Sequence, residues 1–160
     1  ILYLTQVKAS VPGFDLPFAR CLVDRLFIPV LLAENREHAL NTYTAFPCTT
    51  AMSFETKITV INRYLDFPAC KRHPVSTIQL AGKNLIEIDE VVGLESGAGA
   101  QHLENEGITV MTFALRDFNS LTDPSERYKV PSGPFAGKSA ILVRGSSNEI
   151  IELMGWNSQR

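Results

Sequence analysis

Apolar positions along this chain fall into short runs whose spacing switches between two residues and three to four, and the order of the runs repeats. Residues 26–32 form a nearly unbroken apolar run that predicts a buried strand, with Pro29 placing it at an edge or a bulge. Glu34 and Asn35 then introduce a helix predicted to reach about Phe46, with Ala39, Leu40 and Tyr43 on one apolar stripe and Pro47 ending it. Thr59, Val60 and Ile61 are all β-branched and read as extended. Residues 75–80 and 85–89 flank Ala81, Gly82, Lys83 and Asn84, which is a hairpin signal.

The second half repeats the plan with a shorter middle. Residues 93–99 are rich enough in glycine and alanine to serve as a hinge, and residues 108–115 predict the next strand. Arg116 and Asp117 cap a short helix. Residues 131–134 read as a loop, and 138–143 pair with 149–154 across the turn Gly145, Ser146, Ser147, Asn148. Each half therefore reads as strand, helix and a set of strands ending in a hairpin.

The last strand of each half carries a glutamate among aliphatic neighbours, Glu87 in the first and Glu152 in the second. An acid in such company is costly to bury unless it is paired, hydrogen-bonded or bound to a cation, so the repetition points to a shared site. A solvated acid, or one paired across the strands with Lys138 or Arg144, is the plainer alternative for Glu152. Two such acids in one dry hollow without a metal would repel, raising the pKa of one and leaving an acid beside a base.

Composition narrows the classes. The 160 residues are 45% hydrophobic and 20% charged, as expected of one globular domain rather than a disordered chain. With 15 basic against 17 acidic residues and no cluster of Lys and Arg, nucleic acid is excluded as an expected partner. No apolar run approaches the roughly 18 residues that span a bilayer, so no membrane is expected either. Cys21, Cys48 and Cys70 show neither an even count nor CxxC spacing, which suits a reducing cytoplasm, with Cys48 and Cys70 as packing residues. The chain opens on Ile1 with a strand-like run at 2–7 and a Pro/Gly-punctuated stretch at 11–17. It reads as a trimmed product or the C-terminal part of a longer polypeptide, with 1–24 as a leading strand and linker.

Residues 107–117, residues 148–154 and the strand-helix pair over 26–43 together resemble the vicinal oxygen chelate superfamily, which includes glyoxalases, bleomycin-resistance proteins and extradiol dioxygenases. The resemblance covers about 25–154. It implies an α+β fold of two βαβββ modules, about 25–92 and 106–155 within a domain over 25–157, whose curved mixed sheets form a cup around a small molecule. It also implies a homodimer, or pairing with an upstream domain of the same kind. In metal-dependent members the ligands to a divalent ion (Mn, Mg, Fe or Zn) come from the first and last strands of each module. Carried over, the last-strand positions are Glu87 and Glu152, whereas the first-strand positions become Ile28 and Val110, which offer no lone pair. A set of two histidines and a carboxylate cannot be filled from these positions, which disfavours iron-dependent ring cleavage.

Alternation places Val30 and Leu26 on the face of Ile28, and Thr112 and Ala114 on that of Val110, an apolar lining suited to a hydrophobic or aromatic molecule or to an ordinary core. His38, His73 and His102 all read as surface residues. His73, beside a strand entrance, is the candidate for a missing metal ligand or a general base, and Arg63 for a clamp on a substrate carboxylate. Residues 131–135 read as a lid or a plain loop. Two functions follow from the resemblance: a lyase, isomerase or dioxygenase-type enzyme using Glu87 and Glu152, or a protein that sequesters an apolar compound without a metal and without chemistry.

Overall fold

The computed structural model describes residues 6–45, 48–92 and 110–156. Most of the leading strand over 2–7, the helix stop at Pro47, the connector over 93–99, His102 and residues 107–109 lie outside the described residues. The chain divides into two compact units, Ile1–Leu94 and Glu95–Arg160.

The first unit runs β1 (Val30–Ala33), α1 (Arg36–Thr44), β2 (Cys48–Thr56), α2 (Thr59–Tyr64), β3 (His73–Leu80) and β4 (Leu85–Glu90). Its sheet has the order β1-β4-β3-β2, with β1 parallel to β4 and the other pairs antiparallel. The second unit runs β5 (Val110–Leu115), α3 (Phe118–Leu121), β6 (Tyr128–Lys129), β7 (Ser139–Arg144) and β8 (Ile150–Gly155), in the order β5-β8-β7-β6 with only β5 and β8 parallel. The two sheets share one connectivity, so the chain is α+β and built of two modules, as the repeated pattern predicts. Among the described residues no helix is long and apolar enough to cross a membrane.

Local sequence accounts for most of these elements. Asn35 caps α1, its side chain accepting from the His38 N–H at 2.8 Å, and Ala39 and Tyr43 are buried on the stripe the sequence marks. The turn between β3 and β4 is tight because Gly82 adopts φ 76°, a region open to glycine. Alternation along β3 and β4 sets Ser76, Ile78, Ile86 and Ile88 on the face that α1 covers, and Ile78 and Ile88 are wholly buried.

Three expectations are corrected. The strand read over 26–32 is observed only as Val30–Ala33. The carbonyls of Phe27 and Pro29 accept from the Leu85 and Glu87 N–H groups, but Pro29 has no N–H to return, so the parallel ladder closes only beyond it. Thr59, Val60 and Ile61 are the start of helix α2, not extended chain. Buried Asn62 fixes that helix by donating to the Lys71 carbonyl at 2.9 Å, a contact outside any local window. Strand β2 is an additional element, weakly marked because Ala51, Met52, Ser53, Phe54 and Glu55 are all exposed and its apolar-polar alternation runs only over the four residues from Met52 to Glu55.

Candidate functional site

Strand register arranges the face of each sheet opposite its helix into rows. In the first module Glu87 stands between Val30 on β1 and Thr77 on β3, and Thr77 faces Met52 on β2. The next row is Leu32, Asp89, Val75 and Phe54. Both rows lie on the face opposite α1. Two inner carboxyls are thus flanked by apolar rims, since Val30, Leu32, Met52 and Phe54 are all 38–45% exposed whereas Asp89 is 3% exposed.

Asp89 is the electrostatic outlier. Burial, and then repulsion from Glu87, push its carboxyl up to about 7 from an ordinary 3.8, and its Oδ1 is buried without a hydrogen-bond partner. Glu87 is also raised, by burial. The acid pair that perturbs itself is therefore Glu87 with Asp89, two residues apart on one strand. The sequence signal for it was period-two alternation, which sets residues 87 and 89 on the same face.

In the second module the equivalent row is Thr112, Glu152 and Leu142, and the row beside it holds Ala114, Met154, Ala140 and Tyr128. Met154 stands where the first module has Asp89. Thr112 Oγ1 donates to Glu152 Oε2 at 2.6 Å, and the Tyr128 hydroxyl donates to Glu152 Oε1 in a short hydrogen bond. Burial, then the bond and charge of Glu152, push the Tyr128 phenol up to about 12. Glu152 is therefore tied by two hydroxyls. Neither expected cation serves it, because Arg144 bonds Asn148 at 3.0 Å and the Lys138 ammonium lies 5.0 Å over the Trp156 ring.

The first-strand assignments also shift. Register sets Val30 rather than Ile28 opposite Glu87, and Thr112 rather than Val110 opposite Glu152; Ile28 precedes β1. Among the candidate residues, Val30 and Glu87 share one face of the first sheet, and Val110, Thr112 and Glu152 share one face of the second. His73 is not a surface residue. It opens β3, is 2% exposed, and its Nε2 lies 2.7 Å from Asn62 Oδ1. Because the Asn62 amide donates to Lys71, its oxygen faces the imidazole, and the proton sits on Nε2. Arg63 is exposed in the last turn of α2. Residues 131–134 are indeed irregular, and Cys21 and Cys70 are free and exposed. Exposure rules out the packing role expected of Cys70.

The donors present do not suit a resident metal. Among the described residues no three His, Cys, Asp or Glu side chains gather in a metal-binding group. Glu87 faces the hydrocarbon of Val30, and both oxygens of Glu152 accept from hydroxyls. Within either module the described donor set does not fit a divalent transition ion.

No protein-family model matches the chain, and no curated protein does. Solved structures do. A glyoxalase family protein from Bacillus cereus superposes with a TM-score of 0.61 at 12% identity, over 87% of this chain and 98% of that one. An integron cassette protein from the mobile metagenome of V. cholerae has a TM-score of 0.47 at 14% identity, over 86% of this chain and 98% of its own. A lactoylglutathione lyase from Agrobacterium tumefaciens has 0.42 at 10%, over 82% and 92%. At 12% identity the likeness to the Bacillus cereus protein is one of fold, and with the repeated module topology it leads to one conclusion: this chain has a glyoxalase-type fold built of two modules.

Proposed function

We propose that this protein binds a small apolar or aromatic molecule against the face of its first sheet opposite α1, and that the Glu87 and Asp89 pair moves a proton on that molecule in a lyase or isomerase reaction. The observation that carries this reading is the Asp89 carboxyl, buried, unpartnered at Oδ1 and poised near 7 among apolar rims. Near neutral pH such a group is present as both acid and conjugate base, the condition under which general acid-base transfer is most effective. Val30, Leu32, Met52 and Phe54 supply the contact surface for a hydrophobic ligand.

Sequestration without chemistry is the second reading. It is favoured by Val30, a hydrocarbon side chain opposite Glu87 where metal-dependent relatives place a ligand. One experiment separates the two. A panel of aromatic 2-oxo acids and apolar aldehydes is screened for thermal stabilisation, and binders are incubated in deuterated buffer while exchange of the acidic C–H is followed by NMR. Exchange that disappears in Asp89→Asn while binding persists supports the enzyme. Binding with no exchange above buffer supports sequestration, and no binding to wild type refutes both. A reducing cytoplasm is proposed as the setting, supported by the free thiols Cys21 and Cys70.

A further inference from the structure

The charges of the second module are unevenly placed. Residues 110–156 hold five cationic and five acidic side chains. Yet a cleft of about 220 Å³ is lined by Arg116, Lys129 and Lys138 and by none of those acids. The cleft lies on the α3 side of the sheet. Lys129 and Ser139 pair across β6 and β7, and alternation sets both on the face opposite Tyr128 and Glu152. Gly155 forms part of the wall, where an added Cβ would sit 3.1 Å from Phe118 Cδ1, so α3 packs closely against β8 at this point.

The polar groups around this cleft offer donors. Lys129 Nζ donates to Ser139 Oγ at 2.9 Å, which leaves the serine proton free for a ligand. The Asn119 carbonyl oxygen accepts from Arg127 Nη1 at 3.0 Å, which leaves the Asn119 NH2 group as the donor facing outward from that bond. Among the described residues, Arg116, Lys129 and Lys138 take part in no ion pair. Three unneutralised cations, an amide and a hydroxyl around one small hollow match a compact anion with several oxygens, and a planar guanidinium among them favours bidentate contact.

We propose that this cleft binds the phosphoryl group of a small phosphomonoester, held by Arg116, Lys129 and Lys138 with Asn119 and Ser139 as neutral donors. This proposal stands or falls without the reading of Glu87 and Asp89. The test is an amide NMR titration of the full chain with inorganic phosphate and then with phenyl phosphate, chloride being adjusted to hold ionic strength constant. Saturable shifts centred on residues 116, 129 and 137–139 are expected with both probes. Arg116→Gln and Lys129→Gln should each weaken binding about tenfold or more. Arg116→Lys should fall between wild type and Arg116→Gln, and Lys57→Gln in the first module should change nothing. Lys129 is exposed and its ammonium bonds the Ser139 hydroxyl, so its variant carries the test even where Arg116→Gln fails to fold. Shifts equal to those of chloride alone, shifts scattered over the lysines of both modules, or an equal loss in Lys57→Gln would overturn the proposal.

Discussion

Asp89 lies two residues beyond Glu87 on β4, on the same face, and its carboxyl is held near 7 by burial and by the charge of that neighbour. The folded chain therefore keeps a proton that the unfolded chain releases at an ordinary aspartate pKa. Stability should fall as pH rises from about 4 to about 7 and level off beyond, by roughly 4 kcal/mol at most. Asp89→Asn should flatten that window and be more stable than wild type at pH 8. Urea unfolding at a series of pH values checks this, and a wild-type profile that rises across the window would contradict it.

Glu87→Gln isolates the repulsive part of the shift. Burial is the larger cause, so the Asp89 midpoint should drop below about 7 yet stay above the ordinary aspartate value. Carboxyl carbon NMR titration reads the midpoint directly. An unchanged midpoint would mean that the two carboxyls do not sense each other.

His73 and Asn62 form a buried pair whose loss should be felt in stability. His73→Ala leaves the Asn62 oxygen unpartnered away from water and should cost about 2–3 kcal/mol, against under about 0.5 for the surface position the sequence suggested. Chemical denaturation of the variant distinguishes these values.

Chelation should leave ligand binding on the first module unchanged, because the described donors there do not assemble around an ion. Thermal stabilisation by a binder, measured before and after exhaustive treatment with a chelator and again with added manganese or zinc, is the check. A loss restored by one metal would bring back Glu87 and Glu152 as ligands.

The module plan was legible because it is written in local chemistry. Asn35 at a helix start, Gly82 in a tight turn, Asn148 at φ 66° in another, and aliphatic inner strands all act within a few residues. Strand β2 was not, since its apolar-polar alternation runs only over the four residues from Met52 to Glu55, nor was α2, whose β-branched start is overruled by contacts from Asn62 to Lys71 and His73. At the site, Glu87 and Glu152 stood out as acids among aliphatics. Asp89 required attention to alternation. The bond from Tyr128 to Glu152 could not be foreseen, because it spans 24 residues and passes over β7. Register, which decided that Val30 and not Ile28 faces Glu87, is a property of two strands together and cannot be read from either alone.

That phenol has one more consequence. Strand β6 is only two residues long and sits at the rim of its sheet, yet its tyrosine is latched to a carboxylate on an inner strand. Clipping the latch would let the rim fray, and amide exchange at Lys129 would quicken first. Glu152→Ala therefore loosens scaffolding as well as removing an acid, and lost activity in that variant alone would implicate architecture no less than chemistry.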